Sequence, residues 1–237
     1  MKIFYAILFS FFISSLHAEI NVAVAANMRE TADLLVAEFQ KTNDVKINII
    51  SASSGELYHQ IVNGAPFQVF ISADTDYPNK LYKEQLTIGE PYVYAYGLLV
   101  VAGQSIKIKS LTDIGGDNVS YIAIANPALA PYGKVAVEVL KKQNLLDSIK
   151  NKVVFGNSIN EVNQLLLSNA VDIAFTAKST VIFHKSLKYY EVSTHLYDPI
   201  PQAAVLLKSE NDAELFFNFI KSDVAKNILS NSGYLIK

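Results

Sequence analysis

The chain has 237 residues, with 20 Lys+Arg against 22 Asp+Glu, 51% hydrophobic residues and no cysteine. A near-neutral balance without a basic run or interleaved aromatic and basic residues argues against nucleic acid as a partner. The missing cysteines exclude thiol catalysis, disulfide staples and Cys-based metal sites, so an ordinary apolar core must stabilise the fold.

Residues 1–18 (MKIFYAILFSFFISSLHA) carry one cation, Lys2, then an apolar run from Ile3 to Ile13 and a small-residue close at Ala18. That layout predicts a cleaved secretory signal peptide, because the run is too short for a span of about 20 residues. The exported chain, 19–237, is long enough for two lobes of about 100 residues each. Strand Asn21–Ala26 leads into a helix over Arg29–Lys41, whose Ala32, Leu35, Val36 and Phe39 share one face. Asn27 with Glu30 fits a capping-box start. Strand Lys46–Ser51 precedes helix Glu56–Val62, which Asn63-Gly64 and Pro66 end. Val69–Ser72 reads as a short buried strand and Asn79–Glu84 as a helix. Tyr92–Ala102 is a long β-rich segment broken at Gly97. A second unit repeats the grammar: strand Tyr121–Ala125, helix Lys134–Lys142, strand Val153–Phe155, helix Glu161–Ser168, strand Asp172–Phe175. The β-rich Ala203–Lys208 and helices around Glu214–Phe219 and Val224–Leu229 complete the chain.

This alternation predicts an α/β protein of two lobes, each a mostly parallel sheet flanked by helices. Lobe 1 is expected over 19–97 plus 202–237 and lobe 2 over 98–201, with hinge crossings near Gly97 and Pro201. A single doubly wound domain is the alternative. Ligands of such sheets sit beyond the carboxyl ends of the strands.

Four turns fall there: Asn21–Asn27, Ile47–Gly55, Ile122–Gly133 and Val153–Ile159, all without Lys, Arg, Asp or Glu. Helix starts expose unpaired N–H groups and a partial positive charge, so several brought together would cage an anion without a cation. Asn27 and Ser54 also suit plain helix capping. Evidence for catalysis is thin. No nucleophile elbow, phosphate loop or dinucleotide fingerprint is present. His59, His184 and His195 form no helical metal pair. A serine hydrolase using Ser53 or Ser54 with His59 is the rival from another class, but no triad partner is legible. Asp74 and Asp76 offer only fragments of a calcium loop.

The stretches VAVAANMRETADLLVAEFQ, SASSGELYHQIVNGAPFQVFISAD, IANPALAPYGKVAVEVL and GNSINEVNQLLL…DIAFTAKS resemble, in order and spacing, the periplasmic molybdate-binding proteins of ABC importers. The resemblance spans nearly the whole exported chain, and NGAPFQVFISAD is its most specific block. It implies a type II periplasmic-binding fold with molybdate or tungstate in the interlobe cleft, a membrane permease as partner, a monomer, no catalysis, no cofactor and no direct protein–metal ligand. It implies four oxyanion-binding residues. Asn27 would donate through its side-chain amide and local backbone, and Ser54 through Oγ–H and N–H, with Ser53 as fallback. Tyr132 and Ile159 would donate backbone N–H. Phe175 stands where some relatives carry a Tyr hydroxyl, so either Tyr132 or Asn27 replaces that donor or the set is one smaller. A same-fold receptor for another anion is the nearer rival.

Overall fold

A computed structural model describes residues 19–105 and 108–237; the signal-peptide reading of residues 1–18 lies outside them. The chain forms two five-stranded sheets. The first has the order β2-β1-β3-β10-β4, from β1 (Glu19–Ala25), β2 (Lys46–Ala52), β3 (Val69–Ile71), β4 (Ile88–Gly97) and β10 (Ile200–Leu206). The second has the order β7-β6-β8-β5-β9, from β5 (Leu99–Gly103), β6 (Ile122–Ala125), β7 (Val153–Gly156), β8 (Ile173–Ala177) and β9 (Lys188–Glu191). In each sheet the three strands of the βα units run parallel. The strands next to the crossings, β10 and β5, pair antiparallel on both sides. The sheets are therefore mixed rather than mostly parallel, because each crossing feeds a strand in from the opposite end.

The helices are α1 (Arg29–Phe39), α2 (Ser54–Val62), α3 (Asp76–Lys83), α4 (Pro131–Lys142), α5 (Leu146–Ile149), α6 (Ile159–Leu167), α7 (Lys178–Val181), α8 (Asn211–Ile220) and α9 (Asp223–Asn231). Apolar spacing decides what they bury. The α1 residues Ala32, Leu35 and Phe39 join Phe216 of α8 and Leu229 of α9 under the first sheet. Phe39 meets Phe216 edge to face at 5.3 Å. Each large side chain so buried contributes about 1.5–3 kcal/mol.

The two sheets meet at the carboxyl ends of their strands. Ala25, Ala26 and Ala73 of the first unit belong to the same apolar cluster as Ala130, Tyr132, Ile159 and Phe175 of the second. Polar contacts cross the junction too: Gly55 N–H to Leu129 O at 3.0 Å, the Tyr77 hydroxyl to Ala128 O at 3.2 Å, and Ser179 Oγ to Asn27 O at 2.9 Å. The halves are closed on each other.

Candidate functional site

Three helices begin at this junction, each straight out of a strand and a small-residue turn. At α2 the cap is Ser53 rather than Ser54. Ser53 Oγ donates to Glu56 Oε2 at 2.7 Å and accepts from Glu56 N–H at 3.3 Å, a complete capping box. That spends the Ser53 hydroxyl. Ser54 is then the first helical residue, buried, with its Oγ accepting from Ala73 N–H at 3.0 Å. A hydroxyl that accepts there keeps its own hydrogen for another acceptor. No hydrogen bond joins the His59 ring to either serine among the described residues, and the ring lies against Tyr58 at 5.3 Å.

At α4 the helix opens with Pro131 at its first position, where a missing N–H costs nothing. The first N–H bonded back into the helix is that of Lys134, to Ala130 O at 3.1 Å. The N–H groups of Tyr132 and Gly133 precede it, and no side chain caps them. The turn is tight: a Cβ on Gly133 would stand 1.9 Å from Ala125 O. Lys134 reaches across the rim of the junction, its ammonium 3.6 Å from Asp76 of the first unit and more than half exposed. At α6 Ser158 Oγ accepts from Glu161 N–H at 3.3 Å, and Val162 N–H bonds Ser158 O at 3.1 Å. The N–H groups of Ile159 and Asn160 again come before the first helical bond.

Asn27 departs from its expected capping role. It sits in a 3₁₀ turn, Ala26–Met28, and caps neither that turn nor α1. Its Nδ2 donates instead to Gln202 Oε1 and to the Tyr234 hydroxyl, both at 3.0 Å, while its Oδ1 is buried without a hydrogen-bond partner. Its carbonyl oxygen accepts from Ser179 Oγ and the Tyr234 hydroxyl. The side-chain amide expected to face a ligand is thus oriented by groups behind it.

Tyr132 is buried, and its hydroxyl accepts from Gln202 Nε2 at 2.9 Å. It therefore points toward the crossing strands, and burial pushes its ionisation well above the usual phenol range. Ile159 is buried in the junction cluster, and Phe175 lies within β8 opposite Val101. Asp74 ends β3's turn: its carboxylate accepts from Ser72 Oγ at 3.0 Å and Tyr77 N–H at 3.2 Å. Burial raises its pKa from 3.8 to about 6. Among the described residues no cluster of His, Asp and Glu could hold a metal ion.

The junction thus joins buried N–H groups, the Ser54 hydroxyl and an amide, and the Lys134 ammonium that crosses it is paired with Asp76 at the exposed rim. Sequence reasoning missed Gln202, Tyr94 and Tyr234, the polar groups behind Asn27. Nothing marks Gln202 in the apolar strand IPQAAVL.

Residues 20–235 match the family described as bacterial extracellular solute-binding proteins. The molybdate-binding protein ModA of Azotobacter vinelandii is 36% identical over 228 residues, which cover 92% of this chain and 90% of that protein. Its counterpart from Rhodobacter capsulatus is 33% identical over 222 residues, covering 92% and 88%. The solved periplasmic molybdate-binding protein of Azotobacter vinelandii superposes with a TM-score of 0.86 at 32% identity, over 92% of this chain and 99% of that one. The sulfate-binding protein SubI of Mycobacterium tuberculosis shares the fold, with a TM-score of 0.76 at 12% identity. The chain belongs to the bacterial extracellular solute-binding proteins.

Proposed function

We infer that this protein is a receptor that captures molybdate between its two halves and delivers it to the permease of an ABC importer. The observation that supports the reading is the closed junction where α2, α4 and α6 begin, furnished with first-turn N–H groups and a hydroxyl, while the ammonium that crosses it, that of Lys134, is paired with Asp76 at the exposed rim. Neutral donors satisfy a tetrahedral dianion without burying a counter-charge, and each such bond contributes on the order of 1.5–3 kcal/mol. Four residues supply them: Asn27 and Ser54 from lobe 1 (19–97 plus 202–237), Tyr132 and Ile159 from lobe 2 (98–201). The similarity to the two molybdate-binding relatives supports the choice of ion.

Mechanism follows from where the donors lie. An anion touching one half meets only part of the set, so binding favours the closed arrangement, in which every donor reaches it. The two crossings, near Gly97 and Pro201, serve as the hinge. Selection rests on size and protonation. A cage spaced for long metal–oxygen bonds leaves donors unpaired around sulfate, and a donor-only lining offers nothing to a protonated phosphate. Tungstate, of nearly the same size and charge, is accepted alongside molybdate. The protein acts as an exported monomer in the periplasm, released by cleavage after Ala18, without catalysis and without nucleic acid.

Calorimetry on the purified protein with molybdate, tungstate and sulfate tests the reading. Tight binding of the first two and weak binding of sulfate is expected; equal affinity for all three removes the size argument, and no binding of any removes the receptor.

A further inference from the structure

The helix starts that carry Ser54 and Tyr132 meet backbone to backbone. Gly55, the second residue of α2, is buried and donates its N–H to Leu129 O at 3.0 Å. Leu129 belongs to the turn that leads into α4, and that turn is braced from within. Leu129 N–H and Ala130 N–H both bond Asn126 O, at 3.0 and 2.8 Å, and Lys134 N–H bonds Ala130 O as the helix begins. One hydrogen bond thus spans the junction, from the neighbour of Ser54 to a carbonyl three residues ahead of Tyr132.

Closeness, not backbone angle, demands a glycine here. A Cβ on Gly55 would stand 3.0 Å from Leu129 O, 3.1 Å from Leu129 Cα and 2.7 Å from the Tyr77 hydroxyl. The Tyr77 hydroxyl can swing aside, at the loss of its 3.2 Å bond to Ala128 O. The Leu129 backbone cannot yield alone, because the bonds to Asn126 O hold its turn. An added methyl is therefore accommodated by the halves standing a few tenths of an ångström further apart. Once the halves part, Leu129 is gone from the methyl's path and Tyr77 is released from Ala128. Alanine is also a better helix former than glycine. The cost of the methyl falls on the closed form alone.

We propose that Gly55 is the positioning residue that sets the width of the oxyanion cage. Its missing side chain lets α2 and the turn before α4 meet at hydrogen-bonding distance, and that meeting fixes how far apart Ser54 and Tyr132 stand across the ligand. The proposal rests on the molybdate reading above. Gly55 does not give its N–H to the anion, because Leu129 O takes it. An anion held from two sides depends on that spacing, since hydrogen bonds weaken as donor and acceptor separate beyond about 3.2 Å.

The test compares wild type with Gly55→Ala in three measurements. Thermal unfolding without anion is expected to give the variant a melting temperature equal to or above that of wild type. Calorimetry with sodium molybdate is expected to show affinity reduced about tenfold or more. Stopped-flow kinetics should place that loss in faster dissociation, with association little changed, because the anion first meets the open form. Gly55→Val, with a bulkier side chain, should lose more; if it fails to fold, the alanine variant decides alone. Wild-type affinity in Gly55→Ala overturns the proposal. So does an affinity loss accompanied by a lower melting temperature without anion, which would make Gly55 a residue of the fold rather than of closure. A wild-type protein that takes up no molybdate overturns the receptor reading itself, and the first titration reveals this before any variant is made.

Discussion

The two halves of the molecule bring different chemistry to the junction. The first offers side chains, the Ser54 hydroxyl and the Asn27 amide, each held by a neighbour: Ala73 N–H for one, Gln202 and Tyr234 for the other. The second offers only backbone. The Tyr132 hydroxyl is engaged with Gln202 and Ile159 is aliphatic, so what α4 and α6 contribute is the N–H groups of their first turns. Side-chain donors are set by residue identity, whereas backbone donors are set by where a helix starts. The first half should therefore lose function through conservative substitutions at the donor itself. The second should lose it only when the helix start is moved.

Four experiments sharpen or break that contrast. The largest effect is expected from Gly133→Val. Its Cβ would collide with Ala125 O, only 1.9 Å away, and shift the start of α4, lowering stability by about 3 kcal/mol. Thermal unfolding reads this directly, and a melting temperature like wild type would show that the α4 turn has slack. Next comes Ser54→Ala, which deletes a donor and leaves Ala73 N–H without its acceptor. A loss of about tenfold or more in molybdate affinity by calorimetry is expected, and unchanged affinity would place the cage elsewhere.

A smaller, pH-dependent effect is expected at Asp74. Burial raises its pKa from 3.8 to about 6, so the folded protein prefers the neutral acid. The cost of ionising it is absent below pH 3.8, grows between there and 6, and is fully present above 6. Asp74→Asn should therefore stabilise the protein at pH 8 and lose that advantage toward pH 4; a gain independent of pH would break the assignment. The smallest effect is expected from Ile159→Val. It keeps the N–H and removes one methylene, so affinity should stay within about twofold while stability falls by about 0.5–1.5 kcal/mol. A large affinity loss there would mean the second half also reads side chains.

The fold was largely legible because its strands and helices carry clear periods. Ala32, Leu35 and Phe39 recur at helical spacing, and they do face the core. Boundaries were less legible. Pro131 opens α4 three residues before the expected start, since the sequence pattern gave Pro131 the look of a turn rather than a first helical residue. β9 was missed because KYYE is a largely exposed edge strand without apolar alternation. β10 runs through Pro201, whose pairing with Tyr96 falls beside a bulge, and the expected strand began only after it. At the site, adjacent serines in SASSG look alike in sequence. What separates them is the reach of Glu56, three residues beyond Ser53, which takes that hydroxyl and leaves the next one free. Gln202 had no local signal at all: its partners lie 70, 108 and 175 residues away, and only the folded chain brings them together.

A single residue, Leu98, separates β4 from β5, and the returning strand pairs Ile200 directly with Gly97. The two links between the halves are therefore neighbours, and both leave from one narrow seam. Any swing of the halves must turn about a line through that seam, like a book about its spine. Gln202 and Tyr132 meet close to the spine and would separate little, whereas Asn160 and Ser51, 3.5 Å apart at the far margin, would part early and widely. A spectroscopic label on those outer residues would report opening long before the inner amides sense it.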